Sequence, residues 1–230
     1  FQILKLQKIK VSSIGTLGVK THLKNIKIKN TTLDPISLHK HLQFIKKKKI
    51  ENVILEASSH GLKQSRLDDL KFNLGIFTNL SRDHLDYHKS YKDYLNSKLI
   101  LFKNLLKNNS YIITDRDIPQ YRIIKNINKR KKIKIVSIGR THSSLEILKH
   151  SYKDEKQILK IRYKNRVYFL TVNLIGKIQI KNILMAVIAA EKSGLKFEKI
   201  IKKISRIKNV SGRFEKIGNL RNNSKIILDY

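Results

Sequence analysis

The stretch FTNLSRDHLDYHKSYKDYLNSK, Phe77–Lys98, passes from an apolar run through a polar turn into a helical pattern. Leu74–Thr78 reads as a short strand. Tyr91, Tyr94, Leu95, Lys98 and Phe102 then recur at helical spacing and predict a helix over Ser90–Leu106. Between the two lie Asp83, His84, Asp86 and His88, an unusual gathering in a chain dominated by lysine. One strand, a polar turn at its carboxyl end and one helix make a β–α unit, and the same alternation runs outward in both directions. Strands are expected over Lys10–Ile14, Asn52–Glu56, Ser110–Thr114 and Ile133–Ile138. A helix is expected over Pro35–Lys47, with Asp34 as its cap and Pro35 in its first turn. The pattern predicts an α/β fold with a mostly parallel sheet flanked by helices.

Past Glu146 the period changes. Glu146–Asn173 alternates like antiparallel strands, a small β subregion with YKNR (Tyr163–Arg166) as its hairpin turn. IQIKNILMAVIAAEKSG, Ile178–Gly194, reads as an apolar helix stopped by Gly194, and Phe197–Ile204 as a shorter one. Strands over Arg213–Ile217 and Lys225–Leu228 open what reads as a second domain. The expected division is residues 1–208 and residues 209–230.

The apolar fraction of 40% excludes wholesale disorder in spite of a formal charge of +33. That charge is mostly lysine, spread along the whole chain, and runs such as IKKKKI (Ile45–Ile50) and NKRKKIKI (Asn128–Ile135) read as helix ends and strand approaches. A specific nucleic-acid partner is therefore not expected, since such binders concentrate arginine, whose planar fork reads phosphate and guanine. No apolar run is long enough to span a membrane, so no membrane insertion is expected. There is no cysteine, which leaves His, Asp, Glu and hydroxyls as ligands and fits a cytoplasmic protein. The single methionine is Met185, so the chain does not start at an initiator and reads as processed or as a piece of something longer.

Ligands of open parallel sheets gather at the carboxyl ends of the strands. Three polar clusters fall there: IGTLGV (Ile14–Val19), LEASSHGLKQSR (Leu55–Arg66) and TNLSRDHLDYH (Thr78–His88). Glu56 and His84 are thereby placed to converge on one face, where a carboxylate and an imidazole can hold a divalent cation beside a phosphate. Each cluster alone reads equally as turn and capping chemistry. Glu56 would cap a helix, Ser58 and Ser59 would satisfy turn amides, Asp83 would be an N-cap with His84 and His88 exposed, and Lys98 would be one solvated lysine among many.

Taken together, these segments resemble the Mur ligases of peptidoglycan synthesis, most closely the type that adds the third amino acid to UDP-MurNAc-L-Ala-D-Glu. The resemblance rests on IGTLG, NTTLDP (Asn30–Pro35), LEASSHGLKQSR, FTNLSRDHLDYHKSYKDYLNSKLILF and SGRFE (Ser211–Glu215), in that order and spacing, and covers essentially the whole chain. It implies the central ATP-binding domain of a three-domain ligase, with ATP and Mg²⁺ as cofactors. Asn30, Thr31, Thr32, Ser58, Gln64 and Arg66 would hold the UDP-MurNAc-dipeptide. Glu56 and His84 would bind magnesium together with Lys98, which matches a lysine that this family carbamylates with carbon dioxide. An ordinary lysine has a pKa near ~10.4, and only its neutral amine attacks carbon dioxide. Asn182 would lie near the adenine, Arg213 on the nucleotide and Asp229 near the ribose. The implied chemistry is an acyl phosphate formed from ATP and then attacked by an amine, either of meso-diaminopimelate or of L-lysine.

The sequence departs from the family in three ways. The glycine-rich phosphate loop ending in Gly-Lys-Thr or Gly-Lys-Ser does not occur, because the only Gly-Lys is Gly176–Lys177, followed by Ile178. The expected N-terminal segment and most of the C-terminal domain are also lacking, so the chain by itself is expected to be inactive. Leu33 stands where the family usually has proline. Two alternatives remain at this point: another ligase of the superfamily, such as a folylpolyglutamate synthase, and a non-enzymatic basic module that binds nucleic acid.

Overall fold

The computed structural model describes residues 1–127, 132–153, 156–219 and 224–229. The NKRK portion of the basic run expected near Asn128 lies outside the described residues. Two compact units divide the chain: residues 1–112 with 118–135, and residues 113–117 with 136–230.

The first unit opens with α1 (Gln2–Leu6), β1 (Val11–Gly15), β2 (Gly18–Lys20) and β3 (Asn25–Ile26), then α2 (Pro35–Lys47), β4 (Asn52–Leu55) and α3 (Ser59–Lys63). The strands form one sheet in the order β3-β2-β1-β4. β1 and β4 are parallel with Val11 opposite Asn52 and Ile14 opposite Leu55. α2 begins as expected, with Asp34 accepting from the Ser37 amide at 2.9 Å and Pro35 in the first turn. Ile14, Val19, Leu38, Ile45, Leu62 and Leu67 bury one core between this sheet and its helices.

The unit continues with β5 (Phe72–Phe77), α4 (Tyr91–Ile100), a π-helical turn at Leu101–Leu105, β6 (Leu106–Asp115) and α5 (Tyr121–Ile127). The helix expected to reach Leu106 stops at Ile100, and β6 starts four residues before the expected Ser110. Its opening residues, Lys107–Asn109, are polar, so no β-branched signal announces it. The π-helical turn presses onto β5 at Gly75, where an added Cβ would lie 2.9 Å from Phe102 Cε1. Phe77, Leu95, Leu99, Phe102, Leu106, Ile112 and Ile124 form this second core.

Three helix ends in the first unit share one device. α1, α2 and α3 each close with a left-handed residue, Lys8 (φ 61°), Lys49 (φ 53°) and Ser65 (φ 56°). The following amide reaches back five residues, as in Ile50 N–H to the Ile45 carbonyl and Arg66 N–H to the Gly61 carbonyl.

The second unit carries β7 (Lys134–Gly139), β8 (Leu145–Lys153), β9 (Lys156–Tyr163) and β10 (Arg166–Val172), hydrogen-bonded in the order β10-β9-β8-β7 and on to the end of β6. β7 and β8 are parallel, whereas β8–β9 and β9–β10 are antiparallel, so the α/β sheets are mixed. Lys164 (φ 49°) and Asn165 (φ 61°) make the expected hairpin turn. α6 (Lys177–Lys192) follows, and Gly194 at φ 99° ends it. α7 (Phe197–Ile201) is shorter than expected and gives way to a 3-10 turn at Ile204–Arg206. β11 (Glu215–Asn219) and β12 (Lys225–Leu228) pair antiparallel. No helix among the described residues is long and apolar enough to cross a membrane.

Candidate active site

The parallel pairing of β1 with β4 sets the first part of the site. The Glu56 amide continues the ladder to the Ile14 carbonyl at 2.9 Å, which brings its side chain beside the turn after β1. There Glu56 Oε2 accepts from the Thr16 amide at 2.8 Å and from the Thr16 hydroxyl at 3.0 Å. Gly15 makes this possible: a Cβ at that position would sit 2.4 Å from Glu56 Oε2. The Thr16 and Thr31 hydroxyls lie 3.0 Å apart. Two segments distant in sequence thus share one hydroxyl-rich face around an exposed carboxylate.

Thr32 anchors the next layer. Its hydroxyl lies 2.9 Å from the Glu56 carbonyl and 3.0 Å from Ser58 Oγ, and it accepts from the Ser58 amide at 2.9 Å. Ser58 caps α3 by accepting from the Gly61 amide at 3.1 Å. Gly61 has no room for a side chain, since a Cβ there would meet Thr32 Cγ2 at 2.5 Å. The left-handed Ser65 then turns the chain so that Arg66 Nη1 donates to the Thr32 carbonyl at 2.7 Å. Gln64 Nε2 donates to Tyr87 Oη at 3.0 Å. Thr32, Ser58 and Arg66 therefore stand in one connected frame, Thr31 meets Thr16 beside it, Gln64 reaches the next loop at Tyr87, and Asn30 is exposed just before Thr31. Donors of this kind around an arginine fork suit an anionic, oxygen-rich ligand.

The loop from β5 to α4 supplies the rest. His84 is exposed in a left-handed conformation (φ 55°), and its amide donates to its neighbour Asp83 at 2.7 Å. Its ring meets His60 edge-on at 5.2 Å and Tyr94 at 5.6 Å between centroids. Lys98, one turn beyond Tyr94 on α4, places Nζ 5.0 Å above the Tyr94 ring. Burial lowers the Lys98 pKa, against the opposing fields of Asp83 and Glu56. Those fields put the Lys98 amine, Glu56 and Asp83 in one electrostatic neighbourhood. Among the described residues no three His, Asp or Glu side chains are grouped to hold a metal. A carbamate on Lys98 would add the missing anionic oxygens beside Glu56, one of whose two oxygens takes both Thr16 bonds. On the chemistry of the donors, the residues fit a hard divalent cation.

His88, which the capping reading of the cluster leaves exposed, is buried at 1% exposure, because its ring stacks on Tyr94 and its Nε2 lies 2.9 Å from Ser59 Oγ. Burial lowers its pKa as well. The part played by Tyr94 was also not anticipated; the signal that could have found it is its i, i+4 spacing to Lys98.

Asn182, Arg213 and Asp229 belong to the second unit. Asn182 is half-buried on α6, and Arg213 and Asp229 are exposed. Asp229 Oδ1 accepts from the Phe214 amide at 3.3 Å, which places it beside the residue that follows Arg213. Next to Asn182, Lys181 forms a short ion pair with the buried Asp115 and reaches Asp117 at 3.4 Å.

With that geometry in place, the comparisons with known proteins fall on one family. A model of the Mur ligase middle domain matches residues 2–190, and the chain belongs to the Mur ligase family. The UDP-N-acetylmuramoyl-L-alanyl-D-glutamate–2,6-diaminopimelate ligase of Rickettsia conorii is 36% identical over 225 residues, covering 96% of this chain and 46% of that protein. The same-named ligase of Chelativorans is 33% identical and covers all of this chain and 47% of that one. A solved structure of a ligase with this name superposes with a TM-score of 0.85 at 25% identity, over 95% of this chain and 45% of that one. L. casei FPGS shares the fold, with a TM-score of 0.72 at 12% identity over 99% of this chain and 62% of that one. The chain spans about half the length of the curated relatives it matches.

Proposed function

We propose that this chain is the central part of an ATP-dependent ligase that joins 2,6-diaminopimelate to UDP-MurNAc-L-Ala-D-Glu. The observation that carries the reading is the Lys98 amine: half-buried, lowered in pKa by burial, poised over the Tyr94 ring and within the fields of Asp83 and Glu56. A lysine so placed holds more neutral amine at physiological pH than a solvated one, and the neutral amine bonds carbon dioxide at its carbon, losing a proton to leave a carbamate. Among the two candidate third residues, the names of the relatives favour diaminopimelate over lysine.

In this reading Thr31, Thr32, Ser58, Gln64 and Arg66 hold and orient the nucleotide sugar, with Asn30 at the rim of the same frame. Its D-glutamyl γ-carboxylate attacks the γ-phosphorus of ATP, an oxygen–phosphorus bond forms, and ADP departs. The incoming amine then attacks the acyl carbon and phosphate leaves. Glu56, His84 and carbamylated Lys98 would hold Mg²⁺, which when bound neutralises phosphate oxygens. The rest of the rate comes from positioning. Asn182, Arg213 and Asp229 take the nucleotide side, residues 1–208 form the ATP-binding domain, and residues 209–230 begin the next domain. Substrates of this kind place the protein in the bacterial cytoplasm.

The test uses a protein that carries this segment together with the regions its relatives have beyond it. Phosphate release should require ATP, the UDP-MurNAc-dipeptide and diaminopimelate together. Lys98→Ala should lower kcat by about a hundredfold or more, with short carboxylic acids restoring part of it. Full activity in that variant sinks the carbamate assignment.

A further inference from the structure

His88 lies outside the set of groups that would touch substrate or metal, yet it is the most enclosed polar side chain of the loop that leads into α4. Its Nε2 lies 2.9 Å from Ser59 Oγ, and Ser59 is itself buried at 2% exposure in the first turn of α3. On the other side its ring stacks on Tyr94 of α4, with centroids 5.0 Å apart and planes 28° apart. Its Nδ1 is buried with no hydrogen-bond partner and faces Asp93 Oδ2 at 3.6 Å. That carboxylate is held by Lys63 Nζ of α3 at 2.6 Å and by the Lys89 amide at 3.1 Å. One imidazole therefore bridges two helices with different duties. α3 follows Ser58 and leads into Gln64 and Arg66, whereas Tyr94 lies under the Lys98 amine and against the edge of His84.

We propose that His88 is a positioning residue that sets two parts of the site separately: the substrate frame through its hydrogen bond to Ser59, and the Lys98 amine through its stack on Tyr94. The proposal rests on the ligase reading above. Two halves of one ring do separable jobs, so they can be separated by substitution. His88→Phe keeps an aromatic face for Tyr94 and gives up the bond to Ser59. His88→Gln keeps a hydrogen-bonding group for Ser59 and gives up the face.

Steady-state kinetics of the extended protein described above test this. His88→Phe should raise KM for the UDP-MurNAc-dipeptide by about tenfold with kcat near the parent value, the loss of one buried hydrogen bond. His88→Gln should lower kcat by about tenfold through a loosened Lys98, with that KM little changed. Ser59→Ala, which alters neither ring, should reproduce the KM effect and covers the case in which His88→Phe does not fold. A merely structural histidine would lower kcat and raise KM together, and equally in the two variants. That parallel loss, or parent kinetics in both, overturns the proposal. Inactivity of the unsubstituted protein instead strikes the ligase reading, and the inference falls with it.

Discussion

Two helical lysines, one in each unit, show how differently a fold can treat the same side chain. In the second unit Lys181 is tied to Asp115 and Asp117, the first of them buried, so its charge is committed to holding α6 against the end of β6. In the first unit Lys98 finds an aromatic ring where Lys181 finds carboxylates, and burial pushes its pKa down. A paired ammonium is a structural element. An ammonium that burial disfavours and only distant carboxylates support is one the fold leaves open to chemistry.

The sharpest way to break this comparison is to replace each lysine by methionine, which keeps the apolar stem. Lys98→Met should abolish nearly all ligase turnover, about a hundredfold or more, while leaving thermal stability unchanged or slightly raised. Lys181→Met should do the reverse at the level of folding. It takes the cation from the buried Asp115 carboxylate, which keeps its bond from the Asp117 amide, and should cost about 2 kcal/mol in denaturant unfolding, a figure held down because Lys181 is partly solvated. Equal stability losses in the two variants would erase the distinction.

Carbon-13 NMR under labelled carbon dioxide sharpens the same point. A depressed amine pKa means a larger neutral fraction at any given pH below it. The Lys98 carbamate should therefore persist to lower pH than carbamates on solvated lysines, and Lys98→Ala should remove that signal alone.

Smaller effects follow at the edges of the first unit. The Lys63 hydrogen bond holds the Asp93 pKa below its usual value, so the stabilisation it adds is present above the unfolded-state pKa and fades as pH falls through the folded one. Asp93→Asn should lower the midpoint of denaturant unfolding slightly at pH 7, and the difference from the parent should vanish in acid. Lys49→Gly should gain about 0.5–1 kcal/mol in thermal unfolding, because glycine adopts φ 53° without strain.

Much of this was legible in the sequence, and the exceptions have physical causes. α2 is found at its expected residues because cap, proline and apolar spacing agree. α3 was not anticipated as a helix, being five residues long and polar enough to pass for a turn. β6 hides its opening residues behind lysine and asparagine, and β2 and β3 are too short to carry a period. Of the residues the motifs singled out, hydrogen bonds join Thr32 with Ser58 and Arg66, whereas Thr31 bonds Thr16 and Gln64 bonds Tyr87. The burial of His88 is not legible, because exposure is not written in a polar loop. Whether a histidine is solvated or enclosed depends on partners such as Ser59 and Tyr94 that only the folded chain brings to it.

Gly15 has one more implication. The space a methyl group would need is already taken by the Glu56 carboxylate, so the two positions are alternatives in a literal sense. In a saturation library, no substitution at residue 15 should survive on its own merits. Those recovered should displace residue 56 itself, since the added Cβ would crowd Glu56 Cβ at 2.7 Å as well as its carboxylate oxygen. A single missing carbon thus acts as a lock on heredity: once the glycine is lost, the acidic group forty-one residues away in the chain can no longer be kept in its present place.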